Sequence, residues 1–149
     1  MNRNDELYKV GLALHGHKCP AMPLGLRAGL AAMEALDVQH APDGQLTALV
    51  EIDRNHCSTC FADGVQVVTG CTFGKGNIRS LGYGKFAVTL IDNKTGRSVR
   101  VVSVTHPEYL EKMAHFLRLD GGRSMLLRGT EGEAYANPAR RPQMTGFLD

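Results

Sequence analysis

Apolar positions along the first two thirds of the chain recur at spacings that change from helical to alternating and back. Leu7, Val10, Gly11 and Leu14 fall on one face of a helix that Asn4 is placed to cap. Residues 24–36 carry Leu26, Leu30, Ala32 and Met33 at helical spacing. Gly25, Ala28, Gly29 and Ala32 are small enough to admit a neighbouring backbone, so this second helix is expected to be buried on more than one side. A polar turn over 37–44 leads to a strand over 46–52, rich in aliphatic and β-branched side chains. A third helix is expected over 61–68, with Phe61, Val65 and Val68 on one face, and glycines then dominate 69–77. A hairpin follows, 86–91 and 98–104, joined through Asp92-Asn93-Lys94-Thr95-Gly96. The pattern next predicts an amphipathic helix over 107–119 with Leu110, Met113, Phe116 and Leu117 inward, ended by Gly121-Gly122, and a short helix over 124–127. From Gly129 onward, Pro138, Pro142 and scarce aliphatics leave no periodicity, so the tail reads as a wrapping or mobile arm.

A chain of 149 residues suits one domain, taken as a core over about 5–128 and a tail over 129–149. The formal charge of +2 is mild and its basic residues are scattered, which argues against a nucleic-acid partner and against a polybasic membrane patch. No apolar run approaches the ~18 to 20 residues of a membrane span, and the start Met1-Asn2-Arg3-Asn4-Asp5 lacks a secretory apolar region. A soluble, cytoplasmic protein is expected. Four cysteines are few for a disulfide scaffold, and three of them lie close to histidines or to each other, which in a reducing compartment favours metal or redox use.

The densest chemistry is His15-Gly16-His17-Lys18-Cys19-Pro20, two imidazoles and a thiol within five residues, with Cys57-Ser58-Thr59-Cys60 downstream. Imidazole and thiolate are the donors that Zn²⁺ and the late first-row metals prefer, and the spacing fits a site shared between two loops, not a closed zinc finger. The bland reading makes the histidines solvated loop residues or caps and Cys19 a small buried hydrophobe. Cys57 and Cys60 sit where a strand gives way to a helix, and the N–H groups of a helix start favour thiolate, most of all for Cys60. Three protein ligands would leave a fourth position for water or substrate, where a metal lowers the pKa of its water or polarises a carbonyl or carboxylate. Asp63 and His56 are candidates for an outer partner or base, although Asp63 near a helix start has the simpler reading of satisfying the dipole. The Cys57-x-x-Cys60 spacing equally suits a thioredoxin-like dithiol, and a third reading is a non-catalytic subunit or metal carrier.

Thr69-Gly70-Cys71-Thr72-Phe73-Gly74-Lys75-Gly76-Asn77 is not a Walker A loop, since three residues separate Gly70 from Gly74-Lys75 and Gly76 follows the lysine. Tight glycine turns that wrap a metal pocket are expected instead, with Lys75 either facing an anionic substrate or facing solvent. Cys71 reads as a small buried residue, Arg27 as a carboxylate binder or the partner of a local acid, and Gln66 as a hydrogen-bonding group one helical turn past Asp63.

His15-x-His17-x-Cys19-Pro20, Gly25-x-Arg27-x-Gly29, Cys60-x-x-Asp63-Gly64-Val65-Gln66, the 69–77 loop and Gly84-Lys85 occur in one order over residues 5–120. In this the chain closely resembles the E-type component of formylmethanofuran dehydrogenase and its stand-alone relatives. Ala21 stands where the family usually has glycine, Cys57 is an extra thiol, and no cysteine follows Cys71, as expected of the single-domain form without the zinc-finger extension. The resemblance implies an α+β core, a mixed sheet flanked by helices with a thioredoxin-like outline, and homodimers. It also implies a metal site, for zinc or another divalent transition metal, on His17, Cys19 and Cys60 with His15 nearby; His15 and, from its own C-x-x-C spacing, Cys57 are the secondary candidates. Cys60, Asp63 and Lys75 are the candidate catalytic residues. Association with the subunits of a molybdenum or tungsten enzyme of C1 redox metabolism follows from the family's name, and no reaction does.

Overall fold

Helical and alternating stretches resolve into three helices and four strands in a computed structural model that describes residues 3–54 and 56–103, with side chains from residue 5 onward except those of residues 56 and 57. The elements are α1 (Arg3–His15), α2 (Ala21–Leu36), β1 (Leu46–Val50), α3 (His56–Thr69), β2 (Ile78–Ser80), β3 (Ala87–Asp92) and β4 (Ser98–Val102). The helices predicted over 107–119 and 124–127 and the tail from 129 lie outside the described residues.

The strands form one mixed sheet in the order β2-β1-β3-β4. β1 and β2 are parallel and joined through α3, while β3 pairs antiparallel with both β1 and β4. This is the α+β, mixed-sheet architecture expected, and the parallel pair followed by a hairpin gives it the thioredoxin-like outline. Alternation decides which face is buried: Ala48, Leu90 and Val99 line up across three strands, as do Val50, Val88 and Val101, and all six are buried. α2 and α3 cover that face, and Phe61 of α3 meets Phe86, just before β3, with ring centroids 5.7 Å apart. Each fully buried side chain of the Phe61 or Leu26 kind contributes roughly 1.5–3 kcal/mol over its exposed state. On the opposite face Arg100 donates from Nε and Nη2 to the two oxygens of buried Glu51, at 2.5 and 2.8 Å. That fork holds the Glu51 carboxyl below its ordinary range, against the opposing push of burial.

The α2–α3 contact places the N-terminal ends of both helices. A Cβ on Gly25 would lie 1.9 Å from the Phe61 carbonyl oxygen, and one on Gly64 would lie 2.2 Å from that of Met22. Gly29 abuts Val65, Val68 and Thr69, so numbers rise together along the two helices and they run parallel. The small residues in 24–36 thus act as expected, bringing backbone against backbone.

Three boundaries differ from expectation. Asn4 is inside α1 and not its cap. The inner face of α1 is Tyr8, Gly11, Leu12 and His15, while Val10 and Leu14 are more than half exposed. α3 begins at His56, a full turn before Phe61, because Asp53 accepts a 2.6 Å hydrogen bond from Ser58 Oγ and holds the polar first turn in place.

Candidate metal centre

α1 ends where Gly16 turns left-handed, at a φ of 89°, with its N–H bonded to the Leu12 carbonyl at 2.8 Å. The turn leaves His15 as the last residue of the inner helix face, its side chain only 6% exposed, and sends His17 out along the loop to an exposed position. Their rings remain 4.3 Å apart, tilted by 43°. Cys19 precedes α2 by two residues and is half-buried, and Cys60 lies just past the first turn of α3 and is buried. Parallel packing therefore gathers both thiols at the N-terminal, positive ends of two helix dipoles, beside the C-terminus of α1.

The donor atoms of His15, His17, Cys19 and Cys60 all lie within 4.8 Å of one another. Four atoms bound tetrahedrally to one zinc ion at ~2.0–2.3 Å stand ~3.3–3.8 Å apart, so the widest pair has to draw in by about 1 Å to close on an ion. Two thiols and two imidazoles are also the donor chemistry that divalent zinc-type ions select. Asp63, one helical turn beyond Cys60, accepts a 2.7 Å hydrogen bond at Oδ2 from His15 Nδ1, while His15 Nε2 stands 3.3 Å from Cys19 Sγ. A carboxylate only accepts, so the proton belongs on Nδ1 and the Nε2 lone pair faces the cluster.

Of the residues singled out from sequence, the structure thus brings together His15, His17, Cys19 and Cys60, with Asp63 joined through His15. His15, expected as secondary, is a buried donor whose other ring nitrogen is held by Asp63. The spacing 8, 11, 12, 15 carries that signal, because it is the helix face that turns inward. Cys57 lies in the first turn of α3 and its side chain, like that of His56, is outside the described set. Lys75 is not with the cluster. It is exposed, donates to the Pro42 carbonyl at 3.3 Å, and belongs to the loop at the C-terminal ends of α2 and α3, about 13 Å along α3 from Cys60 at ~1.5 Å per residue. The glycine loop therefore closes the far end of the helix pair and does not wrap the donors. Cys71 is fully buried outside the donor set, and burial pushes its thiol up. Gln66 reaches the donors through Asp63. It donates to Asp63 Oδ1 and accepts from the Phe73 N–H, each at 3.2 Å.

Residues 14–127 match the family described as FmdE, molybdenum formylmethanofuran dehydrogenase operon. A crystal structure of a tungsten formylmethanofuran dehydrogenase FmdE-like protein from Syntrophus aciditrophicus superposes with a TM-score of 0.57 and 32% identity, over 80% of this chain and 61% of that one. A probable S-adenosyl-L-methionine-binding protein of Archaeoglobus fulgidus is 43% identical over 91 residues, and the uncharacterized protein YbiB of Escherichia coli is 53% identical over 49. The matches span 58% and 33% of this chain but only 24% and 15% of those proteins. No helix among the described residues is long and apolar enough to cross a membrane.

Proposed function

The chain belongs to the FmdE family, and from that premise we propose that it holds one divalent transition metal, zinc being the ion its donors suit best, at the shared end of α1, α2 and α3. The observation that carries this reading is the convergence of four soft donors from three elements within 4.8 Å. His15 and Cys60 form the buried part of the site, half-buried Cys19 stands beside them, and His17 completes it from the exposed loop. When bound, such an ion polarises a carbonyl or carboxylate oxygen or lowers the pKa of a water. Everything else is work for the chain itself. Asp63 orients His15, the two helix N-termini turn their positive ends toward the site, and the exposed side of His17 is where a small substrate can reach it.

We further propose that the protein serves C1 redox metabolism beside a molybdenum or tungsten enzyme, a reading that the family description supports, and that a cytoplasmic homodimer is its working form. Light scattering of the purified protein and affinity capture from the native anaerobic cell test those two parts. S-adenosylmethionine is not carried over from the Archaeoglobus relative, of which this chain matches a quarter.

Cobalt(II) titration tests the metal site. The expected result is a thiolate-to-cobalt absorption band that saturates at one equivalent and disappears in Cys19→Ser and Cys60→Ser. A featureless titration, with a Cys57–Cys60 disulfide that forms and reduces reversibly, would replace the reading with a dithiol one.

A further inference from the structure

Four hydrogen bonds run in series from a backbone turn to the donor cluster. The Phe73 N–H donates to Gln66 Oε1 at 3.2 Å, Gln66 Nε2 donates to Asp63 Oδ1 at 3.2 Å, His15 Nδ1 donates to Asp63 Oδ2 at 2.7 Å, and the Cys19 thiol meets His15 Nε2 at 3.3 Å. Each link has a fixed sense. A peptide N–H can only donate, so the oxygen of the Gln66 amide must face Phe73 and its NH₂ must face Asp63. The carboxylate can then take one proton donor on each oxygen, and its second oxygen orders the imidazole.

The start of the series is itself held. Thr72 N–H donates to Asn77 Oδ1 at 2.9 Å, the Gly76 N–H closes the turn onto the Phe73 carbonyl at 3.0 Å, and buried Asn77 donates from Nδ2 to the Leu46 carbonyl of β1 at 3.0 Å. The direction of the Phe73 N–H is therefore set by the sheet, through a turn at the opposite end of α3 from Cys60.

We propose that Gln66 is a positioning residue for the metal centre: by holding Oδ1 of Asp63 it turns Oδ2 to His15 Nδ1, which keeps the His15 proton on Nδ1 and the Nε2 lone pair aimed at Cys19 and the other donors. The competing account is that Gln66 only caps the 72–76 turn. Gln66→Glu separates the two, since a glutamate still accepts from the Phe73 N–H but has no proton to give Asp63 and sets a like charge beside it.

The inference rests on the metal reading for its purpose but not for its first measurement. Long-range ¹H–¹⁵N correlation of the histidines in chelator-treated protein, at a pH about two units above the ordinary imidazole value of ~6.5, reads the tautomer of His15 directly. Wild type is expected to show the Nδ1–H form, and Gln66→Glu and Gln66→Leu a mixture of tautomers, with unchanged amide spectra elsewhere. Competition against a chromophoric chelator should then show zinc held roughly 10- to 100-fold more weakly in both variants. A wild-type tautomer and wild-type affinity in Gln66→Glu would overturn the inference and leave the metal site standing. A shifted tautomer in a protein that binds no zinc even as wild type would uphold the positioning of His15 and remove the metal reading instead.

Discussion

Gly64→Ala puts the packing of the site's two main helices to a quantitative test. A Cβ at residue 64 would lie 2.2 Å from the Met22 carbonyl oxygen, 2.5 Å from the Leu26 nitrogen and 2.8 Å from the Gly25 carbonyl carbon. All three are backbone atoms of α2, so no side chain can swing aside. To restore ordinary contact at 3.4 Å the α2 backbone has to withdraw by about 1.2 Å, which opens the α2–α3 contact. Overpacking costs about 1–3 kcal/mol and falls at or above the upper end when only backbone can yield. Helix propensity returns about 1 kcal/mol, because glycine is the poorer former. A net loss of about 2 kcal/mol or more is expected, a melting temperature lower by roughly 4–8 °C. The control series ranks itself. Gly29→Ala meets the Val68 Cγ2 at 2.3 Å and Gly11→Ala the Met22 Sδ at 2.8 Å, side-chain atoms that can rotate, and both should cost less; Gly44→Ala, with nothing within 4 Å, should stay within about 0.5 kcal/mol of wild type. Thermal and urea unfolding by circular dichroism, in chelator-treated protein so that metal affinity does not enter, gives the comparison. A Gly64→Ala protein as stable as Gly44→Ala would refute the close approach that sets Cys60 and Asp63 against the start of α2.

Other expectations follow from single contacts. Glu51→Gln should weaken the protein at neutral pH, and because Arg100 depresses the folded-state pKa of Glu51, that stabilisation is fully present above the unfolded carboxyl value of ~4.3 and fades as pH falls through the lower folded value. Urea midpoints of wild type and variant should therefore converge between neutrality and about pH 3, and a gap that widens on acidification would contradict the sign. Asn77→Ala removes bonds to the Leu46 and Asp43 carbonyls and to the Thr72 N–H, leaving the buried Leu46 carbonyl without that donor, for a loss of about 1–3 kcal/mol in the same assay. Cys71, buried and with its thiol pushed up, should resist alkylation in the native protein and react on unfolding, as tandem mass spectrometry of iodoacetamide-treated protein would show.

Long periodic runs are legible in the sequence, and short or polar ones are not. Residues 24–36 announce α2 and its small-residue face, and the hairpin over 86–104 is marked by its Asp92-Asn93 turn. β2 leaves no signal because it spans three residues, of which only Ile78 is buried. The first turn of α3 is hidden because His56, Ser58 and Thr59 are polar, and its helical state depends on the Asp53–Ser58 bond and on packing against α2. On α1 the visible aliphatics Val10 and Leu14 draw the expected inward face one position away from Tyr8, Gly11 and His15, which demotes the histidine that the fold buries. The alternation 15, 17, 19 names the donors but cannot rank them, since the Asp63 carboxylate that orders His15 lies 48 residues away. Lys75 lies apart from these donors. Its glycines serve a turn at the end of the helices away from the cluster.

The most direct test of the metal centre is elemental analysis, with thiol counting, of anaerobically purified wild type beside His15→Ala and Cys60→Ala. About one equivalent of a divalent transition metal in wild type, lost in both variants, with Cys19 and Cys60 protected from thiol reagents until a chelator is added, is the predicted result. Metal-free wild type whose Cys19 and Cys60 react freely before chelation would contradict it.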